Sequence, residues 1–276
     1  VIPPHASALD VQGRAFVIRS IGVPAYDFDP RPFFPCRALR PDEPREGVIA
    51  RMGAFDNYEA TFVELDALGL RLVNDPEQHR RASTLSGWYP SLEGLTPRSH
   101  VFETFPSTEE VSRTIGFPAF VKGDRQTHEH RASMSIARDA RALDAIRRVW
   151  NEDPILSWQR VVVRELVVLE PLSVARTDDR IPPSVELRAF FLDGRLVGLG
   201  PYGWPNPMPA LSNVDSARAL AEEAAARVDV PFLVVDVARR ADGRWIVIEC
   251  NDGQEAGHAG IVPLALWSAI VAPASE

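Results

Sequence analysis

Alternating apolar and polar positions divide the chain into short strands and a few helical stretches. Period-two or β-branched runs at 14–20, 47–53 and 70–75 predict three strands, and 59–69 carries the spacing of a helix. These make a small N-terminal α/β lobe. The proline-rich stretch 27–44 reads as an irregular loop. Residues 86–99, with two prolines and two glycines, read as a connection between lobes, with a boundary near residue 92. Ser107 to Glu110 has capping-box spacing and opens a short helix ending at Gly116. The apolar run that follows predicts a strand with Lys122 at its end. A helix at 138–150 and a β-branched strand at 160–168 complete this second unit. Beyond it, strands at 186–192 and 195–199 flank Asp193-Gly194, and strands at 232–238 and 245–250 flank a turn holding Asp242-Gly243. Both pairs read as hairpins. An alanine-rich helix at 217–227 and an apolar helix at 262–271 finish the chain. The expected class is α/β (α+β), with lobes at 1–92, 93–162 and 163–276.

Composition narrows the function. At 276 residues and 45% hydrophobic content the chain can bury a substantial core and exceeds the usual size of one compact lobe. A formal charge of -8 with no basic stripe argues against a nucleic-acid partner. No run approaches the roughly 18 apolar residues of a membrane span, and residues 1–9 lack a secretory pattern. Cys36 and Cys250 are too few for a disulfide framework or thiolate zinc site and read as reduced core thiols. A soluble, cytoplasmic protein acting on small molecules is expected. Because the chain opens at Val1 rather than at methionine, a short preceding extension is also expected.

Lys122 is the only lysine among 30 basic residues. Guanidinium is a wide planar fork and ammonium a compact point charge, so a position that keeps lysine in an arginine-biased chain points to a narrow anionic space such as that around phosphate oxygens. The second hairpin supplies the complementary set. Pairing around its turn puts Asp236 roughly opposite Glu249, and alternation puts Asn251 on the face of Glu249. Two carboxylates facing each other across apolar strands call for a cation between them. Oxygen donors without histidine or cysteine favour Mg or Mn, with nucleotide phosphates completing the coordination.

The lysine after Phe117 to Val121, Arg164-Glu165-Leu166, Glu186-Leu187-Arg188, and Asp236 followed by Glu249-Cys250-Asn251 together resemble the ATP-grasp superfamily in order and spacing. The resemblance covers roughly 74–258. Residues 252–258 and the short chain are most similar to the clade named for an arginine-to-lysine switch, a group of predicted amide ligases. The resemblance implies an ATP-grasp fold with ATP held between two lobes behind an N-terminal α/β lobe. It implies that Lys122 contacts phosphate, that Arg164, Glu165 and Leu166 line the adenine mostly through backbone, that Glu170 meets the ribose, and that Asp236, Glu249 and Asn251 hold Mg. Arg188 would clamp the transferred phosphoryl group. The bland reading of Arg188 is a surface ion pair with Glu186.

Two departures stand out. Where the family often has a second lysine, the chain offers Arg80 or Arg81. The loop at 123–134 has one glycine where the family has several, so Arg125, Thr127, His128 or Arg131 would reach phosphate by side chain if the loop covers it. His128 and His130 flank Glu129 but lack a third partner, so loop polarity is preferred over a metal site. His258 is balanced between a surface turn and the acceptor substrate, whose pocket walls would include residues 202–205 and the 251–260 turn.

The implied activity is a carboxylate-amine ligase forming an amide or peptide bond through an acyl-phosphate, with amino-acid or peptide substrates. A small-molecule kinase and an ATP-binding module without turnover are the alternatives.

Overall fold

The computed structural model describes residues 6–19, 28–40, 42–53, 55, 57–125, 130–172, 179–203 and 213–273. Three sheets organise them. In the first, β1 (Ala6–Val11) and β2 (Arg14–Arg19) form a hairpin, and β3 (Cys36–Ala38) joins the outer side of β1. On the other side β4 (Arg45–Arg51) runs parallel to β2. Helix α1 (Tyr58–Asp66) leads to β5 (Leu70–Leu72), parallel to β4, giving the order β3-β1-β2-β4-β5. Two short helices follow, α2 (Pro76–Ser83) and α3 (Leu85–Leu92).

The second sheet is antiparallel. It contains β6 (Ser99–Phe102), then, after α4 (Thr108–Thr114), β7 (Ala119–Gly123), and, after α5 (Ala132–Ser135), β8 (Ile136–Ala137). Helix α6 (Ala140–Glu152) covers it, and β9 (Val161–Glu165) is inserted to give the order β6-β9-β7-β8. The third sheet, β11-β10-β12-β13, is built from hairpin β10 (Glu186–Leu192) and β11 (Arg195–Pro201), helix α7 (Val214–Val228), and hairpin β12 (Phe232–Arg239) and β13 (Trp245–Asp252). Helix α8 (Pro263–Val271) closes the described chain. Among the described residues no helix is long and apolar enough to cross a membrane.

The third sheet is buried on both faces. Leu187, Ala189 and Phe191 of β10 and Leu233, Val235 and Val237 of β12 pack under α7 and α3. Their neighbours Phe190, Leu192, Phe232 and Val234 face the other way, against Phe16, Ile18 and Ile49 of the first sheet and Trp267 of α8. Strands covered on both sides read as continuous apolar runs, as β12 does. Arg188 and Asp236, one step further along the second face, interrupt that apolar surface while remaining buried.

The structure departs from the sequence reading in several places, helix α2 among them. The proline-rich stretch contains β3, β1 and β6 were not anticipated, and 86–99 is not a plain connection. Asp75 and Gln78 form a reciprocal capping box on α2, with Pro76 in its first turn. α3 tolerates Pro90 because Leu85, Trp88 and Leu92 share a buried stripe that outweighs the lost backbone donor. Gly87 makes the corner between the two helices possible. A Cβ there would lie 2.6 Å from the Arg80 carbonyl oxygen and 2.9 Å from the Arg81 Cα. Gly87→Ala should therefore lower the unfolding free energy by roughly 1–3 kcal/mol, the usual cost of forcing an atom into a filled space, read as a shifted urea midpoint at unchanged slope.

Candidate active site

A β-bulge sets the site. From the turn outward β12 and β13 pair Arg239 with Trp245, Ala238 with Ile246 and Val237 with Val247, after which the register shifts and Asp236 pairs with Glu249. Ile248 is the extra residue. Simple alternation would put Glu249 on the face of Val247, which is in the core beneath α7. The inserted residue lets Cys250 take that core position and turns Glu249 and Asn251 to the opposite side. The bulge is pinned from the second sheet, where the buried Arg164 guanidinium donates to the Ile248 carbonyl at 2.9 Å, to Ser99 Oγ at 2.9 Å and to Thr96 Oγ1 at 2.6 Å. The adenine-lining position expected for Arg164 is thus occupied by a guanidinium tied to protein groups. Burial lowers it to about 10, still charged at neutral pH.

On the adjacent strand Arg188 is in register with Asp236. The partner of Arg188 is Asp236 rather than Glu186: Nε and Nη2 donate to the two carboxylate oxygens, each at 2.8 Å. Its remaining nitrogen donates to the Gly257 carbonyl at 3.1 Å, and the Tyr202 ring lies 4.3 Å from the guanidinium carbon. Lys122 arrives from the second sheet and donates to Glu249 Oε1 at 2.5 Å. Lys122, Arg188 and Asp236 are 5%, 6% and 2% exposed, so these charges meet out of water. Burial pushes the Asp236 carboxyl up, and the Arg188 fork offsets this only in part. For Glu249 burial is outweighed by Lys122, which holds the group below its ordinary value. The repulsion expected to require a metal ion is therefore met by one ammonium and one guanidinium.

The oxygen donors still suit Mg. Asp236 and Glu249 are paired, and Asn251, half-buried beside them, has no side-chain hydrogen bond to the described residues. Among those residues no group of three or more His, Cys, Asp or Glu side chains is placed to hold a metal. Two carboxylates and an amide match an ion that takes its other ligands from phosphate and water.

Glu165 and Leu166 border a largely apolar cleft of about 320 Å³, whose other walls include Phe120, Ile136, Leu169, Pro171, Ile181 and Ile248. Because β9 ends at Glu165, the Leu166 backbone runs along this cleft beyond the strand. Glu170 has both carboxylate oxygens taken by Arg239, at 2.7 and 2.6 Å. An acid not anticipated as a site residue lies closer in. Glu186 shares the face of Arg188, accepts from Ser184 in the cleft wall, and is raised to about 7 by burial, with Asp236 and Glu249 adding to the shift. A buried acid two positions before an arginine on a strand was the available signal.

The remaining candidates are scattered. Arg80 is exposed, and Arg81 lies 3.4 Å from the carbonyls of Val228 and Asp229 at the end of α7. Arg131 precedes α5, and His130 sits beside Ser135 and the edge of Phe120, lowered to about 4 by burial and then Lys122. Thr127, His128 and Glu129, and Trp204 and Pro205 of the expected substrate wall, lie outside the described residues. His258 is buried with Nε2 3.4 Å from Arg51, and burial followed by that cation lowers it to about 4. Arg51 also donates to the Gly253 and Ala256 carbonyls at 2.5 and 2.7 Å, fastening the turn after Asn251 to the first sheet.

Comparison with known proteins identifies the family and the fold. Residues 94–270 match the model of an ATP-grasp domain, family 3 of the clade named for an arginine-to-lysine switch. A D-alanine--D-alanine ligase from Bacillus anthracis, solved with ATP, shares the fold at a TM-score of 0.56 and 14% identity, over 80% of this chain and 73% of that one. A RimK domain ATP-grasp protein from Sphaerobacter thermophilus gives 0.52 and 17%, over 79% and 78%. An N5-carboxyaminoimidazole synthase from Aspergillus clavatus, solved with ADP and 5-aminoimidazole ribonucleotide, gives 0.52 and 11%, over 76% of this chain but only 59% of its own. No curated protein matches the chain in sequence. With the family model spanning more than half of its length and the same fold in these ATP-grasp proteins, the chain belongs to the ATP-grasp family, in the third family of the arginine-to-lysine clade.

Proposed function

We propose that the protein is an ATP-dependent ligase that joins a carboxylate to an amine through an acyl-phosphate, using Mg or Mn. The observation that carries this reading is the meeting of Lys122 with Glu249 beside the Arg188-Asp236 pair, close to an apolar cleft. In it the cleft holds the adenine, with the Leu166 backbone along its edge and Glu186 and Ser184 at its inner end. Asp236, Glu249 and Asn251 would hold the metal, which supplies charge neutralisation for phosphoryl transfer. Lys122 exchanges Glu249 for a phosphate oxygen, a move that keeps its ammonium paired throughout. Arg188, held flat by Asp236 and Tyr202, presents its edge to the transferred phosphoryl group. No side-chain nucleophile is needed, because such transfers depend on positioning and charge. A second reading has a specific motive: both cations are already neutralised by protein carboxylates, as a nucleotide-binding module without turnover would allow. Thermal stabilisation by Mg-ATP with no ADP formed across a panel of amino acids and peptides would favour it.

Lys122→Ala should lower ADP formation by roughly 10²- to 10³-fold in a coupled assay over that panel, since a preorganised cation at the transferring phosphate is lost. Lys122→Arg should not restore it, because the planar fork does not fit a site shaped for a point charge. ADP production at the normal rate by Lys122→Ala would refute the assignment.

The raised Glu186 carboxyl has a second consequence. Its folded-state value, about 7, lies above the ordinary 4.5, so the folded protein binds the proton more tightly than the unfolded chain does. The associated stabilisation is full below pH 4.5 and is lost as the pH rises through about 7. Unfolding free energy measured in urea should fall over that interval in the parent protein, and this component should be absent in Glu186→Gln.

A further inference from the structure

The phosphate side leaves one buried cluster unused. Arg125, in the turn just past Lys122, reaches across to three acceptors that converge on its Nη2: His79 Nε2 at 3.0 Å, Glu255 Oε1 at 3.4 Å and the Phe55 carbonyl oxygen at 3.5 Å. They come from α2, from the turn after Asn251 and from the segment before α1. His79 is 3% exposed, and its ring is stacked on Tyr58 with centroids 3.8 Å apart and planes 6° from parallel. Its Nδ1 lies 3.0 Å from Asp252 Oδ2. The Arg125 guanidinium can only donate, so Nε2 presents a lone pair to it and Nδ1 carries the hydrogen toward Asp252. Glu255 is oriented by the Phe55 N–H, which donates to Oε1 at 2.9 Å. Three acceptors around one nitrogen, one of them a neutral imidazole locked in a single tautomer, match a protonated amine, whose N–H bonds need such partners.

On the ligase reading above, we propose that Phe55, His79 and Glu255 bind the nitrogen of a primary-amine substrate, with His79 accepting its proton. The Arg125 guanidinium holds the position that the substrate nitrogen takes. An ammonium cannot attack an acyl-phosphate because its lone pair is bonded to hydrogen. Transfer of one proton from the substrate nitrogen to His79 Nε2 frees that pair and leaves an imidazolium between Asp252 and Glu255. The freed pair forms the C–N bond as the C–O bond to phosphate breaks, and the phosphate leaves with that bond's electrons. The nitrogen's next proton departs with the phosphate, giving a neutral amide. Groups facing the imidazole are Asp252, Glu255, Arg125 and the Tyr58 ring, so its charge is balanced without the metal site.

The test uses methylammonium chloride as probe, with tetramethylammonium chloride as a control of equal charge lacking N–H donors. Imidazole 15N shifts are followed in the parent protein, Arg125→Ala, Arg125→Ala/Glu255→Gln and His79→Gln, the last identifying the His79 resonances by their loss. In Arg125→Ala, methylammonium should shift Nε2 and bind about tenfold more tightly than to the parent protein, and the added Glu255→Gln should reverse this by about tenfold. Should Arg125→Ala fail to fold, Arg125→Gln serves. Either a His79 nitrogen unmoved by methylammonium, or an equal response to tetramethylammonium, overturns the subsite. Mg-ATP stabilisation of the same samples reports on the ligase reading independently: its absence sinks that reading, whereas its presence without an amine response sinks only the subsite.

Discussion

The charged cluster at Lys122 and Arg188 depends on compensating two adjacent carboxylates, Asp236 buried and Glu249 half-buried. Asp236 and Glu249 are in register on neighbouring strands, where their repulsion is poorly screened. The fold divides the compensation. Arg188 neutralises Asp236 within the third sheet, whereas Glu249 is neutralised by an ammonium from the second. One pair is rigid, bidentate and local. The other ties two sheets through a single contact between flexible side chains. Removing one member of such a buried pair typically costs about 3–5 kcal/mol, since the survivor is left uncompensated.

That placement follows from how the third sheet is covered. Its second face is apolar where the first sheet and α8 lie over it, with Phe190 and Phe232 packed against a cover that includes Phe16, Ile49 and Trp267. Arg188 and Asp236 begin where this cluster stops. Both remain shielded from water, which strengthens their interaction. Gly253 helps to fix this edge, because a Cβ there would lie 2.7 Å from the Phe232 ring. The turn that carries Glu255 and His258 can thus sit directly on the aromatic layer.

Much of this was legible in the chain itself. The two hairpins announced themselves through Asp-Gly turns between apolar strands, and Lys122 through its isolation among arginines. What escaped was whatever depends on contacts distant in sequence. Pro90 and Gly87 suggested a linker because their buried neighbours Leu85 and Trp88 contact strands far along the chain. Pairing around the turn put Asp236 only roughly opposite Glu249, and the two are in register because Ile248 bulges, a bulge held by Arg164 from another sheet. The pairing of Arg188 with Asp236 was not visible either, because Glu186 is near in sequence while Asp236 is near only in register. His79, on a helix that was not anticipated, had no visible link to Asp252.

The match to the family spans residues 94–270, but the turn following Asn251 is fastened from outside it. Arg51 grips two of its carbonyls, the Asn74 side chain donates to the Phe232 carbonyl and accepts from its N–H, and Tyr58 donates to the Asn74 carbonyl while receiving the Gln254 amide. The opening third of the polypeptide therefore braces the turn that follows Asn251. Kinship judged from residues 94–270 alone leaves out the segment that holds this turn in place.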